Sequence, residues 1–263
     1  MPHRPAAARS TDPLDYQTLP QPVALMSKAF PAGFRIAPHD HERDQMLYAA
    51  SGTMRIRTER HAWIIPPDRA LYMPAGVSHS LVMRSPVEMR TLYIARRDHA
   101  ALPHQPVAFL ASPLLRALVL ALLDEPVAYG PKSRAARISA LILDEIARAS
   151  PLALSIPMPS DRRLLRLCEA VIEEPASTAT LDDWADESGA SRRTLARLFQ
   201  SECGLTFTAW RQRVRFHAAM ELLSRGEPVA AVARASGYRS SSAFAAAFRA
   251  VVGASPRDIA DDA

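Results

Sequence analysis

Three histidines in the first third of the chain have the type and spacing to bind a metal ion or a small polar molecule. His39 and His41 alternate along one predicted strand, so their side chains point to the same face, and His79 on a neighbouring strand can complete the set. Imidazole suits zinc and nickel, which makes the three residues candidate ligands of a divalent cation. They can equally contact an effector or line a cavity as satisfied polar groups, and the spacing leaves these alternatives open.

A second group of residues repeats in the last third of the chain. Ala185 and Gly189 recur 48 residues later as Ala233 and Gly237. The alanines allow two helices to approach closely, and the glycines allow the positive φ of a tight turn between them. Each copy therefore predicts a helix-turn-helix.

The second helix of each copy begins at a serine and leaves a polar face exposed. Ser191 and Ser240 are natural N-caps for helices predicted over Arg192–Glu202 and Ser241–Val251. The outward positions are Arg193, Ala196, Arg197 and Gln200 in the first copy, and Ser241, Ser242, Ala245, Ala246 and Arg249 in the second. These two faces are the predicted surfaces for a partner.

The elements that position the histidines are short strands. Seven segments of β-type patterning lie between Phe34 and Ala95, separated by Gly, Pro, Asp or Ser. Such spacing predicts a β-sandwich or small barrel. Candidates for its interior are Met46, Tyr48, Trp63, Tyr72, Met73 and Tyr93.

Helices follow the strands. Pro113–Asp124 and Arg134–Ala149 predict an antiparallel helix pair, which either packs on the barrel or forms a contact between two chains. Pro151–Ser160 has three prolines and no charge, which predicts a flexible linker, and the helical periodicity resumes at Asp161. The predicted fold class is α+β with two domains, divided as residues 1–150 (barrel and helix pair), 151–160 (linker) and 161–263 (all-α).

The composition excludes several classes of protein. Hydrophobic residues make up 48% of the 263, enough for a sizeable core. No apolar run approaches the roughly 20 residues of a membrane-spanning helix, and the amino terminus lacks a secretory signal, so we expect a cytoplasmic protein without a membrane partner. Cys168 and Cys203 are too few for a disulfide framework or a four-thiolate zinc site.

The net charge of +5 is informative only through its distribution. Residues 160–263 contain 14 arginines and 14 acidic residues, so the helical half is neutral. Within Arg192–Asp258, however, 11 arginines outnumber four acidic residues. This local excess coincides with both helix-turn-helix units, which predicts double-stranded DNA as the partner.

A long and specific pattern covers Leu181–Ile259. It contains SRRTLARLFQSECG, then W-R-Q-R-V-R followed by A-x-x-L-L, then G-E-P-V-A-A-V-A and GYRSSSAFAAAFRAVVGASPRDI. This pattern resembles the DNA-binding domain of the AraC/XylS transcriptional regulators. The resemblance implies that the second helices of both units enter successive major-groove segments about 34 Å apart on one face of the duplex.

The resemblance also implies which positions contact DNA. Arginine reads a guanine edge with about 1–3 kcal/mol of discrimination, whereas alanine and serine discriminate less. The first unit is therefore predicted to read sequence and the second to position the domain, with Arg239 and Arg249 on phosphates. The predicted DNA-binding set is Arg192, Arg193, Ala196, Arg197, Gln200, Arg239, Ser241, Ser242, Ala245 and Arg249.

The β-rich half carries two further patterns, His39-x-His41-x-x-x-Gln45 followed by Gly52, and Pro74-x-Gly76-x-x-His79. They resemble the two motifs of the cupin barrel, in which histidines and a glutamate converge on a metal. Gln45 stands at the carboxylate position, and a neutral amide weakens the case for catalytic iron. The sensor domains of AraC-type regulators also resemble cupins, which implies an effector pocket here. The predicted effector-binding residues are His39, His41, Gln45, Tyr48, Trp63 and His79, with His39, His41 and His79 as the candidate zinc or nickel ligands.

These patterns predict a transcription regulator that is not an enzyme. The barrel would bind an effector or metal, the helix pair would form a homodimer, and DNA binding would respond, with RNA polymerase as a further partner and activation or repression left open. The alternative is a metal-dependent cupin enzyme fused to a DNA-targeting module. Gln45 and the lack of a recognisable nucleophile–base pair or phosphate-binding glycine loop argue against that alternative. A third hypothesis is a constitutive DNA-binding protein whose barrel only dimerises.

Overall fold

The computed structural model describes residues 9–67, 69–96, 101–152 and 155–261. Its contacts divide the chain into two compact units. The first unit comprises Met1–Met54 and Ile65–Leu152, and the second comprises Arg55–Ile64 and Ala153–Ala263. The segment Arg55–Ile64 comes from the β-rich part of the sequence, yet it groups with the helical part.

Ten strands lie in the described residues. They are β1 (Val23–Phe30), β2 (Arg35–His39), β3 (Asp44–Ser51), β4 (Met54–Arg57), β5 (His61–Ile65), β6 (Arg69–Met73), β7 (His79–Met83), β8 (Val87–Ile94), β9 (Val107–Leu110) and β10 (Ile156–Pro157). Strands β2 to β8 coincide with the seven predicted segments. Strands β1, β9 and β10 were not predicted.

The main sheet of the first unit has the strand order β1-β8-β3-β6-β9, and its pairs are antiparallel. Alternation along β3 separates two environments, because successive side chains point to opposite faces. Met46 and Tyr48 join a helix-covered core, whereas Gln45 and Leu47 line a cavity. Strands β2 and β7 form a second antiparallel pair in this unit.

The helix pair covers one face of the main sheet. Helices α1 (Pro113–Leu123) and α2 (Arg134–Arg148) begin at the capping serines Ser112 and Ser133. Their buried side chains share one core with Met46 and Tyr48; they include Leu115, Val119, Ile142 and Ile146. Packing on the barrel, one of the two predicted alternatives, is therefore observed.

The second unit is mostly helical. Its helices are α3 (Arg162–Glu173), α4 (Leu181–Ser188), α5 (Arg192–Leu198), α6 (Phe207–Leu223), α7 (Val229–Ala235), α8 (Ser241–Val252) and α9 (Pro256–Asp261), with a π-helical turn Phe199–Cys203 after α5. Among the described residues, no helix has the length and hydropathy required to span a bilayer. The fully buried Trp210 of α6 belongs to the core that packs α3 against α5.

The hairpin of β4 and β5 belongs to the same core. Ala62 packs with Leu164 and Leu167 of α3, and β10 pairs antiparallel with β5. Two ion pairs add to this contact: Arg55 to Glu173 at 2.7 Å, and Arg57 to Glu169 at 2.5 Å. The hairpin is thus fixed to α3 by apolar, hydrogen-bonded and charged contacts.

The described part of the predicted linker is not free chain. The indole Nε1 of Trp210 donates to the carbonyl of Pro157 at 2.7 Å, and the amide of Met158 donates to the carbonyl of Arg60 at 2.7 Å. Arg213 donates to the carbonyl of Ser155 at 3.2 Å. These contacts hold residues 155–158 against the second unit. Residues 153–154, at the centre of the predicted flexible linker, lie outside the described residues, so the linker stays a prediction there.

Candidate ligand cavity and nucleic-acid interface

The three histidines converge in the first unit. His39 ends β2 and lies opposite His79 at the start of β7, and His41 follows β2 in the loop before β3. The ring centroids are 4.5 Å apart for His39 and His79, 4.8 Å for His39 and His41, and 5.5 Å for His41 and His79. One ligand-capable atom from each residue lies within 4.8 Å of the others. The structure therefore brings together the residues predicted from spacing.

Backbone carbonyls fix which ring nitrogens carry a lone pair. Nδ1 of His39 lies 2.8 Å from the carbonyl of Ala37, and Nδ1 of His79 lies 2.9 Å from that of Val77. Because a carbonyl only accepts, Nδ1 carries the proton in each neutral ring and Nε2 keeps the lone pair. Within the described residues, Nε2 of His41 and Nε2 of His79 are buried without a hydrogen-bond partner. A divalent cation would satisfy these lone pairs, so the donor set fits such an ion.

Burial keeps two of the rings uncharged. It is the main cause that lowers the pKa of His41 to about 4, with a further contribution from the neighbouring His39 and His79. Burial is also the main cause that lowers the pKa of His79 to about 4. Both imidazoles are therefore neutral near pH 7, which is the form that binds a cation.

The cluster opens on a cavity of about 480 Å³ in the first unit. The cavity walls are mostly apolar, and the charged groups on them are Lys28, Arg35 and Asp40. The other lining residues are Thr11, Pro13, Leu14, Met26, Phe30, Phe34, Ile36, Ala37, His39, His41, Gln45, Leu47, Leu81, Met89 and Tyr93. This volume and lining are typical of a small-molecule pocket.

The predicted effector-binding residues fall into two groups. His39, His41 and Gln45 line the cavity, and His79 completes the cluster beside it. Tyr48 does not line it, because it lies on the opposite face of β3 in the helix-covered core. Trp63 belongs to the second unit, where its ring is tilted against that of His61 with ring centroids 5.6 Å apart. The structure therefore gives no support to Tyr48 and Trp63 as effector contacts.

The segment before β1 contributes cavity residues that the sequence did not indicate. Thr11, Pro13 and Leu14 line the cavity, and the buried Tyr16 stacks on Tyr93 with ring centroids 5.7 Å apart. Pro13–Tyr16 is a 3₁₀-helix of four residues, which is too short to show a hydrophobic period, so periodicity gives no signal for this segment.

The first recognition helix, α5 with its π-helical turn, presents the predicted face to solvent. Gly189 has φ 66° in the preceding turn, and the Ser191 side chain accepts a hydrogen bond from the amide of Thr194. Leu195 and Phe199 are fully buried. The exposed positions are Arg192, Arg193, Ala196, Arg197 and Gln200, all of which were predicted to face DNA.

The second recognition helix, α8, has the same construction with different exposed side chains. Gly237 has φ 84°, and Ser240 caps the helix by accepting from the amide of Ala243. Phe244 and Phe248 are fully buried. Arg239, Ser241, Ser242, Ala246 and Arg249 are exposed, and Ala245 is half-buried.

Part of the local arginine excess serves the fold. Arg211 donates to the carbonyl of Ala179 at 2.8 Å, and Arg215 donates to the carbonyls of Pro175 and Ser177. These arginines of α6 hold the loop between α3 and α4. The count of positive charges between Arg192 and Asp258 therefore overstates what is available to a phosphate backbone.

Glu202 ties the end of the first recognition helix to the start of α3. Its Oε2 accepts from the amide of Ser160 at 2.6 Å, the hydroxyl of Ser160 at 2.9 Å and the amide of Asp161 at 3.1 Å. The second recognition helix is held instead by aromatic contacts: the ring centroid of Phe244 lies 5.5 Å from that of Tyr238, and that of Phe248 lies 5.5 Å from that of Phe216 on α6.

Two family profiles match the chain. The helix-turn-helix domain profile matches residues 184–261, and the cupin domain profile matches residues 28–95. Both agree with the fold: the first match covers both recognition helices, and the second covers the three histidines. The two matches define a DNA-binding protein that carries a cupin domain.

Curated relatives narrow this class to transcriptional regulators. The HTH-type transcriptional regulator NimR of Escherichia coli is 29% identical over 83% of this chain and 80% of its own length. The transcriptional activator NphR of a Rhodococcus species is 40% identical over 34% of this chain and 27% of its own length. An AraC-like transcription regulator of Streptomyces lividans is 36% identical over 32% of this chain and 28% of its own length. Structures of ToxT from Vibrio cholerae align over 92% of this chain at 12% identity and a TM-score of 0.39.

The chain combines a helix-turn-helix domain with a cupin domain and is similar to AraC-type transcriptional regulators. The predicted resemblance to these regulators, the two-domain α+β fold class and the function as a DNA-binding regulator are thereby confirmed.

Proposed function

We propose that this regulator binds an effector in its cupin cavity and that the effector changes its affinity for DNA. The observation that carries the proposal is the buried histidine cluster beside the cavity. A buried polar atom without a partner costs about 1–3 kcal/mol, so a barrel with only a structural role has no reason to keep two of them together. An effector acts through differential affinity for two arrangements of the protein.

The first recognition helix supplies the sequence readout in this proposal. Arg193, Arg197 and Gln200 are exposed on one face and have the donors and acceptors that distinguish base edges in the major groove. Ser241 and Ser242 make permissive contacts in the second groove segment. The phosphate contacts come from Arg239 and Arg249. Arg192 lies beside the phosphates, with its Nε 3.5 Å from the carboxylate of Asp182.

The cation site is a further part of the proposal. His39, His41 and His79 would hold a zinc or nickel ion through ring nitrogens. When bound, the ion would supply a coordination position for a donor atom of the effector. The chain's own residues orient the site, because the Ala37 and Val77 carbonyls fix two of the three rings.

The helix pair is the proposed surface for a second copy of the chain. Leu114 and Leu120 of α1 and Leu141 of α2 are each about half exposed, at 50%, 50% and 47%. A second copy of the chain that packed on these leucines would remove their apolar surface from water. A homodimer would present two pairs of recognition helices to two DNA half-sites. Binding of the dimer to these sites would recruit or exclude RNA polymerase.

The DNA part is tested by selection from random duplexes with the purified full chain, followed by binding assays on the enriched sequence. We expect one enriched motif with most of its information in a single groove segment. Competition with unrelated duplex DNA should then show a specificity ratio of at least about 1,000. Failure to enrich any sequence would contradict the proposal.

The cation part is tested by metal analysis after dialysis with zinc or nickel. We expect one ion per chain, lost in His79→Ala and retained in the matched control His104→Ala, since His104 is an exposed histidine outside the cluster. No stoichiometric retention by the unaltered chain would contradict this part and leave the DNA result intact.

A further inference from the structure

Glu202 lies in the π-helical turn that ends the first recognition helix, and its carboxylate binds the segment before α3. Oε2 accepts hydrogen bonds from the amide of Ser160 at 2.6 Å, from the hydroxyl of Ser160 at 2.9 Å and from the amide of Asp161 at 3.1 Å. Burial alone would raise the pKa of Glu202, but these hydrogen bonds outweigh it and lower the pKa. Glu202 is therefore ionised near pH 7, and its charge strengthens the contacts.

The segment that Glu202 binds is held at other points as well. The amide of Met158 donates to the carbonyl of Arg60, in the turn between β4 and β5, at 2.7 Å. The indole Nε1 of the fully buried Trp210 donates to the carbonyl of Pro157 at 2.7 Å. Strand β10, which ends at Pro157, pairs with β5. Glu202 therefore joins the recognition helix to a segment that the hairpin and α6 already hold.

The second recognition helix carries an apolar residue at the equivalent position. Phe199 matches Phe248 at an offset of 49 residues, which places Val251 where the first helix has Glu202. A valine side chain accepts no hydrogen bond. Because the two motifs share the rest of their construction, a helix-turn-helix of this kind folds without the carboxylate contact. The contact is a property of the first motif.

The contact lies on the same helical element as the arginines of the reading face. Arg197 is exposed and precedes Glu202 by five residues. An arginine discriminates between bases only when its guanidinium is held at hydrogen-bond distance from the base edge, so a shift of the helix weakens readout. Oε2 of Glu202 is engaged by three donors, and phosphates repel a carboxylate. A positioning role therefore fits Glu202 better than a direct contact with DNA.

We propose that Glu202 is a positioning residue for sequence readout. By binding Ser160 and Asp161, it fixes the end of the first recognition helix and thereby sets the depth and tilt at which Arg197 meets the major groove. This inference rests on the proposed readout by Arg197. Specificity then depends on a residue that does not touch DNA. It depends also on a segment that is continuous with β10, so a movement of the β4–β5 hairpin would change the readout.

The test compares two substitutions at position 202 in the full chain. Glu202→Met removes the charge and the acceptor, whereas Glu202→Gln removes the charge and keeps an oxygen that can accept from the same donors. Binding to the selected site and to all its single-base variants is measured. In Glu202→Met we expect discrimination at the base pairs read by Arg197 to fall about fivefold, with discrimination in the second groove segment unchanged. Glu202→Gln should stay within about twofold of the unaltered chain.

The control for the charge is Glu187→Met, the same substitution at an exposed residue of α4 in the same motif. It should leave the discrimination at every base pair unchanged. If Glu202→Met and Glu202→Gln change binding alike, or if both act like Glu187→Met, the charge alone matters and the proposal is overturned.

A change at the other end of the contact gives a graded effect. Ser160→Ala removes the hydroxyl donor and leaves both amides, so we expect a smaller loss of discrimination at the same base pairs. Urea unfolding of each variant separates positioning from loss of the fold. A loss of affinity in Glu202→Met that is uniform over all sequences and follows a loss of stability would overturn the proposal.

The same panel distinguishes this inference from the readout on which it rests. If Arg197→Ala changes discrimination at no base pair, the proposed readout fails and this inference fails with it. If Arg197→Ala removes discrimination that Glu202→Met retains, this inference alone is overturned.

Discussion

The two helix-turn-helix motifs share a backbone plan and differ in what they present and in what holds them. Their turns both have a glycine at positive φ, and both recognition helices begin at a serine cap. The first presents Arg193 and Arg197, whereas the second presents mainly serine and alanine. The two motifs thus share the parts that build the turn and differ in their exposed faces.

The supports of the two helices differ as well. The first ends in a π-helical turn whose Glu202 is hydrogen-bonded to the start of α3, and α3 also carries the β4–β5 hairpin. The second packs on Phe216 and Tyr238. The first motif is therefore hydrogen-bonded to α3 and presents arginines, whereas the second is held by aromatic contacts and presents small polar residues. We expect sequence readout to be concentrated in the first motif and the second to act as an anchor.

The largest expected effect is on the stability of the second motif. Phe244→Ala removes a fully buried ring from the aromatic cluster and should lower the free energy of unfolding by about 3–5 kcal/mol. Urea unfolding of the full chain measures this loss. The control is Arg249→Ala on the exposed face of the same helix, expected within about 0.5 kcal/mol of the unaltered chain. If Phe244→Ala lowers the free energy of unfolding as little as the control does, the aromatic cluster does not hold the second motif.

The next effect concerns readout. Arg197→Ala should reduce affinity for the selected site by about 1–3 kcal/mol and relax discrimination at one or two base pairs, because the bidentate donor is lost. Binding to a panel of single-base variants measures it. Ser242→Ala at the second helix is the matched change and should alter the panel little. An equal loss on every sequence after Arg197→Ala would show that the arginine contacts phosphate instead.

A smaller effect is expected for the phosphate contacts. Arg249→Ala should weaken binding to all sequences alike and reduce the slope of log K against log salt by about 0.9. Salt titrations on the selected site and on random duplex measure the slope. A loss of affinity confined to the selected site would show that Arg249 contacts a base, and that the second motif also reads sequence.

The smallest effect is expected at the hairpin. Arg57 and Glu169 are 36% and 44% exposed, so water screens their ion pair. A double-mutant cycle with Arg57→Gln and Glu169→Gln should give a coupling of about 0.2–1 kcal/mol that decreases with salt. A coupling of about 3 kcal/mol would instead indicate a buried pair and a stronger tie beside the first motif.

The repeated and periodic parts of the molecule were predictable from the sequence. Ser191 and Ser240 are predictable as caps because a helix start has a local signature. The spacing of His39, His41 and His79 predicts their cluster, although His41 lies in the loop after β2 and not on that strand. The structure does not support the prediction that Tyr48 contacts the effector, for a related reason. Both faces of β3 are buried, so alternation shows which residues share a face and not which face borders the cavity.

The contacts between distant segments were not predictable. Nothing local in Arg55–Ile64 indicates that its arginines meet Glu169 and Glu173, which lie more than 100 residues away in the sequence. The π-helical turn Phe199–Cys203 also had no signal, because the sequence continues the helical pattern through it.

The grouping of Arg55–Ile64 with the helical unit determines how this regulator can be cut and rejoined. A chimera that joins a foreign sensor at residue 151 would leave Leu164 and Leu167 without Ala62, and the two glutamates of α3 without their arginines. A transplantable DNA-binding module therefore includes a hairpin copied from the donor's own barrel. Exchange of sensors between such regulators would require two crossovers inside the barrel sequence in addition to the one at the domain junction.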